Sequence, residues 1–97
     1  MVVFCSQRTE VDAGYDDLAQ RIETLARGSD GFLDVMSVRQ ANGLGITVSW
    51  WSSAATARAF GAAAEHRDAQ ALGREALYAW YTTDVATITR TLDDDAS

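Results

Sequence analysis

Lysine is missing altogether. The eight basic residues of this 97-residue chain are all arginine and stand against fourteen acidic ones, for a net charge of −6. Arg8, Arg21, Arg27, Arg39, Arg58, Arg67, Arg74 and Arg90 are scattered, so no basic stripe forms. That scatter and the sign of the charge exclude nucleic-acid binding, because a phosphate backbone would be repelled rather than neutralised. The lack of lysine beside abundant alanine fits a GC-rich bacterial genome.

Cysteine and histidine are nearly missing too, with one of each, and there is no proline. A lone Cys5 excludes an intrachain disulfide and points to a reducing compartment. Mid-strand among apolar neighbours, it reads as a small buried filler rather than a nucleophile. One histidine, one cysteine and scattered acids provide no ligand spacing for a metal. No glycine-rich nucleotide loop is present, since Gly43 and Gly45 belong to a hairpin, so no flavin or nicotinamide cofactor is expected. No apolar run is long enough to span a membrane. The start, from Met1 to Arg8, has neither the basic region nor the apolar stretch of a signal peptide, so a cytoplasmic protein is expected.

What remains is ordinary for a globular domain: 47% hydrophobic and 23% charged residues with seven glycines. The length accommodates one domain, residues 1–92, followed by an acidic tail, 93–97. A chain of this size buries roughly 60–65% of the surface its unfolded form exposes, a thin core that burial against a second subunit would help.

Val2 to Arg8 reads as a strand. Asp12 can cap a following helix, with Asp16 and Asp17 at the positive end of its dipole. Tyr15, Leu18, Ala19, Ile22, Leu25 and Ala26 share one face at 3–4 spacing. Gly28 is expected to end this helix in the left-handed conformation. Phe32–Arg39 and Gly45–Trp51 are strands joined through Asn42-Gly43, a strong hairpin signal because both residues tolerate positive φ. Along the second of them Ile46, Val48 and Trp50 alternate with Thr47, Ser49 and Trp51, which suits an antiparallel sheet covered by helices on one side. Ser52 or Ser53 caps the next helix, Ala54 to about Ala63. A break over Gly61 to Glu65 is expected before a further helix to about Leu77, with Ala69, Leu72, Ala76, Leu77 and Trp80 on its stripe. Tyr81 to Leu92 alternates as a last strand. The order β-α-β-β-α-β predicts an α+β, ferredoxin-like domain with a four-stranded antiparallel sheet. Apolar residues on the uncovered face point to sheet-to-sheet dimerisation.

Gly31-Phe32, the strand from Gly45 to Ser52, Phe60, the stretch from His66 through Ala69, Gln70 and Gly73 to Arg74, and then Tyr78 and Tyr81 follow one another in an order that resembles small bacterial members of the antibiotic biosynthesis monooxygenase family. The likeness spans about residues 2 to 92. It implies a dimeric α+β barrel, a homodimer joined through its sheet faces, with a pocket between sheet and helices in each subunit. The family includes cofactor-independent oxygenases of phenols and quinols, haem-degrading enzymes and proteins without known activity, so the fold leaves the chemistry open. The haem-degrading pattern of Asn, Trp and an iron-ligating His falls on Gln7, Phe60 and Gln70, and Gln70 cannot replace an imidazole. His66 lies one turn earlier.

As an oxygenase without cofactor, the protein would act on a small apolar or aromatic ligand. His66, the one side chain whose ordinary pKa lies near neutrality, would remove a phenolic proton; the alternative is that it caps or packs at a helix start. Trp50, Trp51 and Phe60 are candidate pocket walls. Trp50 and Trp51, adjacent on a strand, must face opposite ways. Gln7, Ser49, Gln70, Tyr78 and Tyr81 are candidate hydrogen-bonding groups, with Tyr81 also a candidate for the dimer. Arg74 could meet an anionic substrate or an acid across a subunit boundary. A non-catalytic dimer binding a hydrophobic ligand in the same pocket is the alternative function, and a haem-binding member a third.

Overall fold

The structure, a computed structural model, describes residues 1–11, 14–73 and 75–93. Its elements run β1 (Val2–Arg8), α1 (Tyr15–Arg27), β2 (Phe32–Arg39), β3 (Leu44–Trp51), α2 (Ala54–Gly73) and β4 (Tyr78–Val85). All pairings are antiparallel, in the order β2-β3-β1-β4. This is the ferredoxin-like βαββαβ fold expected from the sequence. No helix among the described residues is long and apolar enough to cross a membrane.

Several local expectations are corrected. Gly28 ends α1 with φ −89°, not in the left-handed region, while its N–H reaches Thr24 O. The start of α1 has left-handed Gly14 at the cap position; Asp12, the expected cap, lies outside the described residues. In the hairpin only Gly43 takes positive φ, and Asn42 contributes its Oδ1 to the Leu44 N–H instead.

The expected break at Gly61 is absent, and α2 is one continuous helix of 20 residues. Alanine-rich sequence on both sides outweighs the propensity cost of one glycine, about 1 kcal/mol. The glycine also has a packing reason: a Cβ there would sit 3.1 Å from Val85 Cγ2. Ser53 caps the helix through its Oγ to Thr56 N. The chain turns out of α2 through Ala76, at φ 56°, and buries Leu77 completely.

The last strand starts earlier and ends sooner than the expected Tyr81–Leu92. Its ladder with β1 runs from Arg8↔Tyr78 to Val2↔Val85. Since β1 begins at Val2, residues beyond Ala86 have no strand to pair with, and their alternation goes unused. Trp80, expected on a helical stripe, is a strand residue and 43% exposed. Leu72 and Ala69 are exposed as well.

Strand alternation sorts the side chains. Val2, Phe4, Ser6 and Arg8, with Val35, Ser37, Arg39, Thr47, Ser49 and Trp51, face the helices; Val3, Cys5, Gln7, Met36, Val38, Ile46, Val48 and Trp50 face away. The strictly apolar set of β3 therefore points to the uncovered face, and the mixed set lies under the helices. Cys5 is only half-buried there. Met36 and Val38 are 63% and 61% exposed.

Candidate small-molecule cavity

The core is split. One cluster gathers Val2, Ala26, Trp51, Ala57, Phe60 and Ala64; the other gathers Leu18, Ala71, Leu77 and Tyr78. Between them, beneath α1, lies a cavity of about 460 Å³, within the range of roughly 300–1,000 Å³ common for small-molecule sites. Its floor is the inner sheet face, including Phe4, Ser37, Thr47 and Thr83, and its walls come from α1 and α2. Aromatic rings shape one end, where Phe4 and Tyr78 lie 5.6 Å apart and Tyr15 meets Tyr78 edge-on at 6.4 Å. Phe60, at the other end, stacks at 4.7 Å on Trp51.

Several polar groups lining the cavity are already engaged. Ser37 and Thr47 hydroxyls bond to each other, and Ser49 accepts the buried Trp51 indole N–H at 2.9 Å. Arg27 pairs with Glu23 at 2.9 Å. Arg39 donates to the Gly43 carbonyl, to Ser6 O and, at 2.8 Å, to Ser6 Oγ. Asp68 and Thr83 instead hold buried oxygens without a partner. Asp68 is 2% exposed, and neither its Oδ1 nor Thr83 Oγ1 has a hydrogen-bond partner among the described residues.

Electrostatics follows from that burial. Desolvation, with a smaller contribution from the Glu65 charge, raises the Asp68 carboxyl to about 7. The Tyr78 phenol is pushed well up, first by burial and then by Asp68 and Tyr15, with Arg39 and Arg8 pulling the other way. Tyr81 is raised by burial, Glu65 and Asp68.

The residues expected from sequence do not converge on this cavity. Phe60 lines it; among the supporting candidates so do Ser49 and Tyr78. Trp51 packs behind Phe60 in the core, and Trp50 sits half-buried on the uncovered face. Gln7 also points to that face and donates to Asn42 O at 2.7 Å, tying β1 to the hairpin. Tyr81 packs 6.0 Å from Phe4 in the second cluster. His66 is exposed in the middle of α2, not at a helix start, and its Nε2 lies 3.3 Å from Gln70 Nε2. These two line a separate surface groove with Leu25, Ala63 and Arg67. Arg74 lies outside the described residues. Gln7, Phe60 and Gln70, the positions matching the haem-degrading pattern, thus open onto three different regions and do not form one haem pocket.

Asp68 was missed, yet a signal existed. Ala57, Phe60, Ala64, Asp68 and Ala71 are the buried stripe of α2 at 3–4 spacing, and an acid on an apolar stripe marks a group withdrawn from water. The expected break at Gly61 hid that periodicity. Arg39 carried no such signal.

With this geometry the chain takes its place among ferredoxin-like α+β domains. Two crystal structures of SnoaB, described as a cofactor-independent oxygenase from Streptomyces nogalater, match with TM-scores of 0.71 and 0.70 at 16% identity, each over 96% of this chain and 95% of SnoaB. PA3566 from Pseudomonas aeruginosa matches with a TM-score of 0.55 at 17% identity, over 86% of both chains. No family model matches the sequence. The uncharacterized protein YqjZ of Bacillus subtilis (strain 168) is 42% identical over 89 residues, which is 92% of this chain and 78% of YqjZ. The chain belongs to the YqjZ family.

Proposed function

We propose that this protein is a cofactor-independent oxygenase of the antibiotic biosynthesis monooxygenase type, acting in the cytoplasm on a small aromatic or quinol-like compound held beneath α1. The observation that carries the reading is the cavity itself: a thin-cored domain leaves about 460 Å³ unfilled between its two apolar clusters and keeps an unpartnered carboxylate at the wall. The likeness of the fold to SnoaB supports the choice of chemistry. In this reading Asp68, rather than the exposed His66, takes the proton, because a base must be within hydrogen-bond reach of the group it deprotonates. A carboxyl raised to about 7 is also better matched to a weak acid at neutral pH than an ordinary one.

The chemistry needs no protein-bound redox group. Loss of the phenolic proton leaves an electron-rich anion that gives one electron to O₂. The two radicals combine, forming a C–O bond at a ring carbon that still bears hydrogen. Water is then lost from that carbon as the O–O bond breaks. One oxygen atom ends in a ring carbonyl, the other in water, and Asp68 returns its proton. Phe4, Phe60 and Tyr78 keep the ring out of water. The homodimer is part of the proposal: the exposed Met36, Val38, Ile46 and Trp80 are the surface two sheets would cover.

The test is oxygen uptake by chelator-treated protein with a panel of quinols and hydroxylated polycyclic aromatics, beside Asp68→Asn and His66→Ala. Uptake that needs one substrate class, is retained in His66→Ala and falls by about 100-fold in Asp68→Asn is expected, in line with general-base contributions. Saturable binding of the panel with no uptake above the spontaneous rate would refute the oxygenase and leave a binding protein.

A further inference from the structure

Two opposite charges line the cavity, and neither has an oppositely charged partner among the described residues, although the Arg39 guanidinium stands 5.4 Å from the Tyr15 ring centroid. A buried charge is normally paired or neutralised, because desolvating it costs several kcal/mol. Asp68 is 2% exposed, yet no cation pairs with it among the described residues, and its Oδ1 has no donor. Arg39, half-buried, is the converse: all its acceptors are the neutral Ser6 O, Ser6 Oγ and Gly43 O, and no carboxylate pairs with it among the described residues. A guanidinium carries five N–H donors, so these three bonds leave donors over. Arg27, the other arginine on the cavity wall, differs in having its own partner, Glu23.

The arrangement is built in. Gly45 lets the Arg39 head group lie against β3, since a Cβ there would be 2.6 Å from Arg39 Cζ. The Ser6 hydroxyl, fully buried, and the hairpin carbonyl of Gly43 then hold the fork in place. Asp68 comes from the buried stripe of α2, whereas Arg39 comes from the sheet. Tyr78 lines the same cavity, and the charges of both residues reach its phenol in opposite senses. The protein therefore keeps a carboxylate and a guanidinium facing one apolar chamber without letting them meet.

We infer that Asp68 and Arg39 form a two-ended polar clamp for an aromatic ligand that presents a hydroxyl proton to the carboxylate and an acceptor oxygen to the guanidinium. The inference rests on the reading of this cavity as the substrate site. It adds an orientation: deprotonation occurs at the α2 end, and negative charge delocalised through the ring is met by Arg39 at the β2 end. Thr83 Oγ1, also without a partner, is a second polar group on the cavity wall. A ligand already carrying a carboxylate would be refused at the Asp68 end by like charge.

The test uses three probes of nearly one shape in isothermal titration calorimetry with the full chain. They are a hydroxytetralone with hydroxyl and ketone at opposite ends, its O-methyl ether, and the tetrahydronaphthol that lacks the ketone. The hydroxytetralone should bind on the order of 10- to 100-fold more tightly than the ether, as expected for a hydrogen bond to a charged group. Asp68→Asn should shrink that gap to a few-fold while leaving the ketone preference intact. Arg39→Gln should erase the preference over the tetrahydronaphthol, and Arg39→Lys, which keeps the charge where loss of the fork would disturb the hairpin, should retain part of it. Equal binding of all three probes to the wild-type protein would overturn the clamp and leave the cavity as an apolar site. A hydroxyl preference that survives Asp68→Asn would overturn it too. Binding of none of the probes would overturn both the clamp and the cavity reading.

Discussion

Burying Asp68 without a partner has a consequence for folding that can be measured without knowing a substrate. Its carboxyl titrates at about 7 in the folded protein against 3.8 for the ordinary side chain. Below about pH 4 the group is protonated in both states and costs nothing through charge. Between about 4 and 7 the unfolded chain has released the proton while the native state still holds it, so the unfolded state binds fewer protons and stability falls as pH rises. Above about 7 both states are ionised and the penalty is complete. A difference of roughly three pKa units corresponds to about 4 kcal/mol at 1.36 kcal/mol per unit. Asp68→Asn removes the charge at nearly constant shape, though its amide brings a hydrogen-bonding demand of about 1–3 kcal/mol at all pH values. The variant should therefore match or fall below the wild type at about pH 4.5 and overtake it by about pH 8. If only half the penalty is expressed, the wild type should lose about 2 kcal/mol relative to the variant across that range, some 8–16 °C in Tm for a domain of this size. Urea unfolding followed by tryptophan fluorescence, at one fixed protein concentration, reads the difference directly. The buried Trp51 makes this signal sensitive to the core. A wild-type-minus-variant difference that stays flat from about pH 4.5 to about pH 9 would refute the account of Asp68 as a buried, uncompensated carboxylate.

Four further perturbations test the frame of the fold and its uncovered face. Ser49→Ala strands the Trp51 indole N–H, which bonds Ser49 Oγ at 2.9 Å, and should cost about 1–3 kcal/mol in denaturant unfolding; no loss would mean the indole finds another acceptor. Gly31→Ala places a Cβ at φ +79° only 2.4 Å from Thr56 Oγ1, so it should destabilise by about 2 kcal/mol or more. Gly73→Ala, where nothing lies within 4 Å, should be neutral or stabilising by up to about 1 kcal/mol; equal effects at the two glycines would contradict the geometry. Met36→Asp combined with Val38→Asp charges the uncovered sheet face, and light scattering should show a dimeric wild-type protein become monomeric. A wild-type monomer at micromolar concentration would refute sheet-face association.

The sequence alone determined the order and type of the elements, because period-2 and period-3.6 patterns are local. Val2–Arg8, the helix from Tyr15, and the Asn42-Gly43 hairpin could each be read from a dozen residues or fewer. Local pattern erred where tertiary contacts decide. Gly61 reads as a break until Val85 packs against it, and Thr87–Leu92 reads as strand until β1 proves to start at Val2 and offer no partner. The site was harder still. His66 stood out because it is the only histidine, but composition carries no information on where a side chain points, and α2 turns it outward. Trp50 and Trp51 had to face opposite ways, and only the packing of Phe32 and Phe60 chose Trp51 for the core. Asp68 and Arg39 are 29 positions apart in sequence. They face one cavity because α2 crosses back over the sheet while Ser6 and Gly43 hold the guanidinium from below, a juxtaposition created by long-range packing that no local sequence pattern encodes.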